Sequence, residues 1–327
     1  MGDELAVLLN LAKLGARERI PRIAGSIWRG LPSALLTWVL AALLIRLTVR
    51  DRLPLLSVLF YMTPLAVSAG LAGAAALIWL RRRCWRLAGL AGGLALLSAI
   101  WFHVSAGARH SVPPGPAGER IVFWNAGRGV MGWEGVTRTL QGFDADLIGL
   151  VEAGPSSREM AQFWRDRFPA YQVSGPERGM VLMARGAVIE RKMGDLGGGG
   201  KYGHYEVHLA GRSLDVLLVD FRSDPFRSRR EAFARLIDLI DRLADRPVIV
   251  MGDFNTPVDS AFAAPLAERL TNAFDAGGNG YNVTWPVPVP VLSLDQVWAS
   301  PQVGLKSCEL PWTLRSDHRP VVVTLAR

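Results

Sequence analysis

Seven polar positions stand at the ends of apolar runs in the later part of the chain: Asn125, Glu152, Asp253, Asn255, Asp295 and the adjoining Asp317 and His318. The clearest is Pro247-Val248-Ile249-Val250-Met251-Gly252, which runs into Asp253-Phe254-Asn255 and so presents a carboxylate and a carboxamide two residues apart. Side chains at i and i+2 of extended backbone share a face. The rim where buried strands end is where α/β folds place chemistry. Taken singly, these residues also read as strand-to-loop turns, because Gly, Asp and Asn favour turns. Taken together, they are several carboxylates at one rim, which repel one another unless a cation neutralises them. Oxygen donors with carboxamides and without cysteine suit Mg²⁺ or Mn²⁺, not a structural zinc site.

To gather at one rim, these groups need strands whose ends coincide. Ile121-Val122-Phe123-Trp124 runs into Asn125, and Asp146-Leu147-Ile148-Gly149-Leu150-Val151 runs into Glu152. Leu292 to Ala299 carries Asp295, and Pro320 to Leu325 follows Asp317-His318. Met180 to Ala184, Tyr202 to Leu209 and Leu214 to Phe221 read as further strands. Trp133 to Leu140 reads as a helix, and Arg229 to Leu243 spaces Phe233, Leu236, Ile237, Ile240 and Leu243 as an amphipathic one. His204, Glu206 and His208 alternate along one strand, and a solvated face accounts for that pattern better than a metal site. Pro286, Pro288 and Pro290 make the approach to Asp295 extended and stiff.

Before Arg120 the chain changes character. It carries a net charge of +8, and the excess lies there: 13 basic residues face 5 acidic ones, whereas from Arg120 onward 24 face 24. Residues 1–30 read as a basic lead-in without a cleavable signal peptide, since the apolar stretch Leu5 to Leu14 is short and holds Asn10 and Lys13. Three apolar runs follow, over 27–45, 53–80 and 87–104, each of a length suited to crossing a bilayer, the middle one without a charged residue. Trp28, Trp79, Trp85 and Trp101 lie near the ends, as interfacial anchors do. Basic residues crowd the lead-in and the second loop (Arg81, Arg82, Arg83, Arg86), while Asp51 tempers Arg46, Arg50 and Arg52 in the first loop. The positive-inside rule then puts the N-terminus in the cytoplasm and everything after Val104 outside it. Cys84 and Cys308 fall on opposite sides of that divide, which argues against a disulfide between them. The plan is a membrane region over 1–104, a Pro/Gly linker over 105–119 and a catalytic domain over 120–327.

From Arg120 onward the ordered series Trp124-Asn125, Val151-Glu152, Gly252-Asp253-Phe254-Asn255, Leu294-Asp295-Gln296-Val297 and Ser316-Asp317-His318-Arg319-Pro320 resembles the endonuclease/exonuclease/phosphatase superfamily. The resemblance implies an α/β fold, a two-sheet α/β sandwich flanked by helices; the all-α transmembrane region of about three helices that precedes it is read from the apolar runs alone. The resemblance also implies a Mg²⁺- or Mn²⁺-dependent phosphoester hydrolase. By position, Glu152 would be the principal metal ligand with Asn125 beside it, and Asp317 would help hold that ion or a second one. Asp253 would orient or deprotonate the attacking water, and Asn255 would hold it or a phosphate oxygen. His318, supported by Asp295, would donate to the charge developing on the phosphoryl oxygens. Phosphoryl transfer is mostly positioning and charge neutralisation, which such a set can supply. One position departs from the pattern. Where many members carry His or Tyr, this chain has Asp220, which would bind a further cation, mark a different way of holding substrate, or reduce activity. Arg222 and Arg227 stand nearby as substitute charges.

The expectation is an integral protein of a plasma or inner membrane, with the lipid bilayer as partner and the catalytic domain extracytoplasmic. The balanced charge after Arg120 lacks the basic face that long nucleic acids need, so a small phosphoester or a lipid head group is favoured over nucleic acid. Two alternatives stay open: a nuclease acting on DNA or RNA, and a degenerate member that binds a phosphorylated ligand or partner without turnover.

Overall fold

A computed structural model describes residues 28–110 and 117–326. The basic lead-in before Trp28 and the linker's proline-rich middle, 111–116, lie outside these residues. The chain divides into two units: residues up to Leu44 together with Leu65–Trp101, and Ile45–Pro64 together with Phe102–Arg327.

The first unit is built from α1 (Trp28–Leu47), most of α4 (Trp85–Ala106) and, between them, α3 (Leu65–Arg81). Ala75, Ala88, Ala91 and Trp79 are buried among these helices, whereas Leu40, Leu44, Leu77, Leu90, Leu96 and Leu97 are exposed. An apolar surface of that extent is what a lipid-facing bundle presents. Among the described residues, two helices, α1 and α4, are long and apolar enough to cross a membrane.

The middle apolar run is not one straight helix. It forms α2 (Pro54–Met62) and α3, bent by 70° at the break, and the pair counts as a third crossing only if taken together. Pro64 lacks the N–H a continuing helix needs and disfavours helical backbone at Thr63, which adopts φ −127°, ψ 61°. The α2 half belongs to the second unit. The run over 53–80 looks uniform in sequence because one part is covered by protein and the other is apolar for its own surroundings.

Among the described residues, the second unit holds fourteen strands. In chain order they are β1 (Gly107–Arg109), β2 (Ala117–Asn125), β3 (Leu147–Val151), β4 (Gln172–Glu177), β5 (Met180–Ala184), β6 (Ala187–Gly197), β7 (Gly200–Leu209), β8 (Arg212–Asp220), β9 (Val248–Asp253), β10 (Thr271–Asn272), β11 (Asn279–Tyr281), β12 (Asp295–Ala299), β13 (Leu305–Glu309) and β14 (Val321–Ala326). Twelve of them make two six-stranded sheets, ordered β10-β12-β9-β8-β7-β6 and β13-β14-β2-β3-β5-β4. The neighbours β2–β3 and β8–β9 are parallel and the other pairs antiparallel.

Strand alternation sets the layers. Ile121, Phe123, Leu147, Val216, Leu218, Ile249, Met251, Val297 and Val323 pack between the sheets. The intervening Val122, Trp124, Ile148 and Leu150 face α5 (Trp133–Gly142) and α6 (Arg158–Arg167), which bury Val136, Leu140 and Trp164 on them. On the other sheet Leu217, Val219 and Val250 meet Phe233, Leu236 and Ile240 of α7 (Arg230–Asp241). Both faces of the central strands are therefore covered, which is why their runs are continuously apolar. At Gly149 a Cβ would stand 2.5 Å from Met251 Sδ, so glycine there lets the sheets close.

The linker is only partly a linker. Its extended backbone has amides to satisfy, and β1 pairs antiparallel with β11, while Ala117–Glu119 begin β2. Cys308 is buried, and no disulfide joins it to Cys84.

Candidate active site

The register of one sheet lines up four ionisable side chains. Lys201 of β7 is opposite Asp220 of β8, Asp220 opposite Asp253 of β9, and Asp253 opposite Asp295 of β12. Asp220, Asp253 and Asp295 each lie two residues from an inward-facing core residue, Leu218, Met251 and Val297 respectively, so the row faces the space between the sheets at their end. From the other sheet Asn125, two residues beyond Phe123, donates through Nδ2 to Asp253 Oδ2 at 2.9 Å. Its Oδ1 accepts from the Gly127 N–H at 2.9 Å, which fixes the orientation of the amide.

Three adjacent carboxylates repel, and the surroundings decide how that is met. Asp253 is 1% exposed and Asp295 3%. Burial pushes the Asp253 carboxyl up to about 8, with Asp295 and Asp220 adding to the shift and His318 and the Asn255 N–H opposing it. His318 is buried too, and burial by itself would favour the neutral ring. Asp295 outweighs that: its Oδ2 lies 2.7 Å from His318 Nδ1, and with Asp253 and Asp317 it holds the imidazole up to about 10. At neutral pH the ring is thus an imidazolium, with Nε2 as its second donor. Two further bonds fix the residue: its N–H donates to Ser316 Oγ, and its carbonyl accepts from Trp124 Nε1.

Asn255 sits in the left-handed region at φ 44°. Its backbone N–H donates to Asp253 Oδ1 at 2.8 Å and its Nδ2 to Phe221 O at 2.8 Å, so the carboxamide is anchored on the end of β8. Glu152, just past β3, is also left-handed at φ 50°. Non-glycine residues held there are strained positions that cluster at functional sites.

Glu152 and Asp317 form the more accessible part of the site. Arg128 Nε donates to Glu152 Oε2 at 3.0 Å, and Trp285 Nε1 donates to Asp317 Oδ2 at 3.0 Å. Gly127, at φ 54°, closes the turn between them. A Cβ there would lie 3.3 Å from Asp317 Oδ1, so glycine leaves the space beside that carboxylate open.

Two places compete for a cation. Among the described residues, Asp253, Asp295 and His318 offer ligand atoms within 4.8 Å of one another. Those atoms are largely engaged already, by the Asp295–His318 bond and by Asn125 and Asn255 on Asp253, and an ion there would have to displace an imidazolium. Glu152 and Asp317, with Asn125 Oδ1, present hard oxygen donors: Glu152 is held by one exposed guanidinium, Asp317 by the Trp285 indole N–H and the Ser316 hydroxyl, and Asn125 Oδ1 by the Gly127 N–H. The donor set fits a divalent cation of the Mg²⁺ or Mn²⁺ type at this second place.

Asp220 is 9% exposed, and burial raises its carboxyl while Lys201 is the chief opposing influence. Its partner is Lys201 Nζ at 2.9 Å, which also donates to Arg178 O at 2.6 Å. The expected substitutes do not supply this charge: Arg227 pairs with Asp224, and Arg222 lies exposed beside Gly199. Lys201 was legible in principle. Ala210-Gly211 is a two-residue hairpin turn, and counting outward from it sets Lys201 against Asp220. No comparable signal marks Arg128 or Trp285. Trp285 is delivered by the loop before β12, where Val287 N–H donates to Asp317 O and Thr284 Oγ1 accepts from the amides of Leu294 and Asp295.

The strand face of His204, Glu206 and His208 is an ion-pair network. His204 pairs with Asp215 at 2.6 Å, and Arg246 reaches Asp215 and Glu206, the latter also held by Arg191.

A family model described as Endonuclease/Exonuclease/phosphatase family matches residues 122–318, more than half of the 327. Among solved structures, the chain is similar to a mannosyl-6-phosphatase of Bacteroides thetaiotaomicron VPI-5482, with 15% identity and a TM-score of 0.53 over 64% of this chain and 100% of that one. It is similar to D. rerio TDP2 complexed with single strand DNA product, with 17% identity and a TM-score of 0.52 over 64% and 99%. An endonuclease/exonuclease/phosphatase from Bacteroides vulgatus matches at 17% identity and a TM-score of 0.51 over 64% and 98%. At these identities the likeness is one of fold. Among curated proteins none matches significantly.

Proposed function

The chain belongs to the endonuclease/exonuclease/phosphatase family, and from that premise we propose a membrane-tethered, divalent-cation-dependent phosphoester hydrolase whose catalytic unit stands outside the cytoplasm. The observation that carries the reading is the row Lys201–Asp220–Asp253–Asp295, closed by the His318 imidazolium and by Asn125 from the opposite sheet. Glu152 and Asp317, with Asn125 Oδ1, are the residues that would hold the cation, whose part when bound is to neutralise phosphoryl charge. Asp253 orients the attacking water and accepts its proton, steadied by Asn125 and the Asn255 N–H. His318 donates from Nε2 to a phosphoryl oxygen while Asp295 keeps the ring charged and aimed. Lys201, set by Asp220, adds a second positive charge at the site. That charge favours turnover over the degenerate reading that Asp220 alone suggests.

Hydrolysis of a p-nitrophenyl phosphomonoester and of the bis-p-nitrophenyl diester by the full chain in detergent micelles tests this, with Mg²⁺, Mn²⁺ or EDTA. Cation-dependent release of nitrophenol from at least one is expected. Within that assay Lys201→Ala should lower kcat/KM roughly ten- to a hundred-fold, the scale of a lost hydrogen bond to a charged group. No turnover on monoesters, diesters, nucleic acid or lipid head groups would leave the binding reading instead.

The substrate class rests on charge: 24 basic residues balance 24 acidic ones from Arg120 onward. Arg229, a candidate for a basic patch, is 4% exposed and spends its donors on Asp224 O and Thr256 Oγ1. A small phosphoester or a lipid head group beside the membrane fits this better than a long nucleic acid. The orientation rests on the basic second loop, and the packing of Ile45–Pro64 into the catalytic unit supports a first loop on the same side as that unit. Alkaline phosphatase fused after Gly118 should be active, and fused within Arg81 to Arg86 inactive. The reverse pattern would place the catalytic unit in the cytoplasm.

A further inference from the structure

The segment between the first two apolar helices is more than a connector. Asp51 is 1% exposed although it lies in a short loop rich in arginine. Its Oδ2 accepts from Tyr61 Oη at 2.8 Å and from Ser260 Oγ at 2.5 Å, and its Oδ1 accepts from the Ala261 N–H at 2.9 Å. Arg46, also buried, donates to Phe60 O at 3.0 Å, stacks over the Phe60 ring at 4.2 Å and pairs with the Asp259 carboxylate. The Ser57 hydroxyl lies 2.7 Å from Pro225 O. Three consecutive residues of the catalytic unit, Asp259, Ser260 and Ala261, are thus gripped from Arg46 and Asp51, some two hundred positions earlier in the chain.

The gripped residues lead straight back to the site. They continue the loop that begins at Asn255, where the Ser260 N–H donates to Pro257 O at 3.0 Å, and Arg229 holds the start of that loop: its Nε donates to Thr256 Oγ1 at 3.2 Å, its Nη2 to Asn255 O at 3.4 Å and its Nη1 to Asp224 O at 3.0 Å. Tyr61 lies under that guanidinium, 5.8 Å from ring centroid to Cζ. Asn255 needs such support, since φ 44° is unfavourable for a non-glycine residue unless its surroundings fix it. An aspartate buried with three donors satisfied is costly to break and hard to explain as a surface loop.

We infer that Asp51, between α1 and α2, and Tyr61, within α2, are positioning residues of the active site: they act through Arg229 and the Thr256–Ala261 loop to hold Asn255 and, through its N–H, Asp253. The catalytic unit is therefore assembled from chain segments before α3 and from the end of α4 onward, and residues 120–327 alone lack one wall of the loop. The inference rests on the proposed hydrolase reading for its activity readout, and on exchange for its independent one.

The test uses the full chain in detergent micelles. Asp51→Ala should lower kcat on the nitrophenyl ester about tenfold, and Asp51→Asn, whose carbonyl can still accept from the Ala261 N–H while its N–H₂ faces the Tyr61 and Ser260 hydroxyls, should recover part of it. Combined with Asn255→Ala, Asp51→Ala should cost little more than Asn255→Ala alone, because both act through one residue. A general loss of folded protein would multiply the two defects instead. Amide exchange over residues 255–263 should rise in Asp51→Ala and, less, in Tyr61→Phe, with β3 and β9 unchanged. Tyr61→Phe keeps the ring under Arg229 and serves if Asp51→Ala does not fold. Wild-type exchange at 255–263 in a folded variant, or a multiplicative double variant, overturns the inference. If the wild-type chain hydrolyses nothing, the hydrolase reading fails while the exchange result still decides this one.

Discussion

Asp253→Asn is expected to cut turnover roughly a hundred- to ten-thousand-fold, the usual scale of a lost general base, while leaving divalent-ion binding nearly intact. Glu152→Gln should do the converse first, weakening ion binding. The two sites are distinguishable because Glu152 faces Arg128 at the accessible rim, whereas Asp253 is enclosed by Asn125, Asn255 and Asp295. Stability gives a second readout. The Asp253 carboxyl is raised from the ordinary 3.8 to about 8, chiefly by burial. The unfolded chain therefore releases its proton near pH 4 while the folded one retains it until about pH 8. Between these values the folded state binds more protons, so stability falls as pH rises, and the full cost of the buried charge is present above pH 8. A neutral carboxamide removes that cost. In EDTA at pH 7 to 8, the inactive Asp253→Asn exchanges that charge for one opposed donor, since its Nδ2 must face either Asn125 Nδ2 or the Asn255 N–H, and should melt close to the wild type. Near wild-type kcat with the ion bound would remove Asp253 from the role of base, and a much lower Tm would show that its hydrogen bonds outweigh its charge.

Much of this site could be read before the structure. Gly252-Asp253-Phe254-Asn255 and Ser316-Asp317-His318 mark strand ends by composition alone, and i, i+2 spacing carries Asn125, Asp253 and Asp295 to the side that Phe123, Met251 and Val297 share. The parts that stayed hidden depend on pairing rather than on local pattern. Lys201 becomes a site residue only through the β7–β8 register, and Trp285 only because an irregular loop folds back over Asp317. The hydrophobic signal at Leu53 to Leu80 did not show the break into two helices. Phe60 and Tyr61 are apolar because they are covered by protein, and Leu77 is apolar yet exposed, but both count equally in a sliding window. Pro64 was the available sign of a break. Asp51 was read as a weakened positive charge, although a lone carboxylate between arginines is also what a buried, hydrogen-bonded anchor looks like.

The second large effect concerns the imidazolium. His318→Ala should lower kcat roughly a hundred- to a thousand-fold, the cost of one preorganised donor to a developing oxyanion. Asp295→Asn should be more informative, because it alters the proton and not the ring. In the wild type, burial favours neutral His318, and Asp295, by charge and by its bond to Nδ1, overcomes this and holds the ring up to about 10. Without that charge, burial is opposed only by the more distant Asp253 and Asp317, so the ring loses its proton at a lower pH. A donor that must be protonated works below its pKa and fails above it. The variant's kcat should therefore turn down on the alkaline side at a lower pH than that of the wild type, whose alkaline limb lies near pH 10. The comparison is kcat against pH at saturating cation for the two proteins. If both curves share one alkaline limb, Asp295 does not control the His318 proton, and the donor to the phosphoryl group must be sought in Lys201 or Arg128.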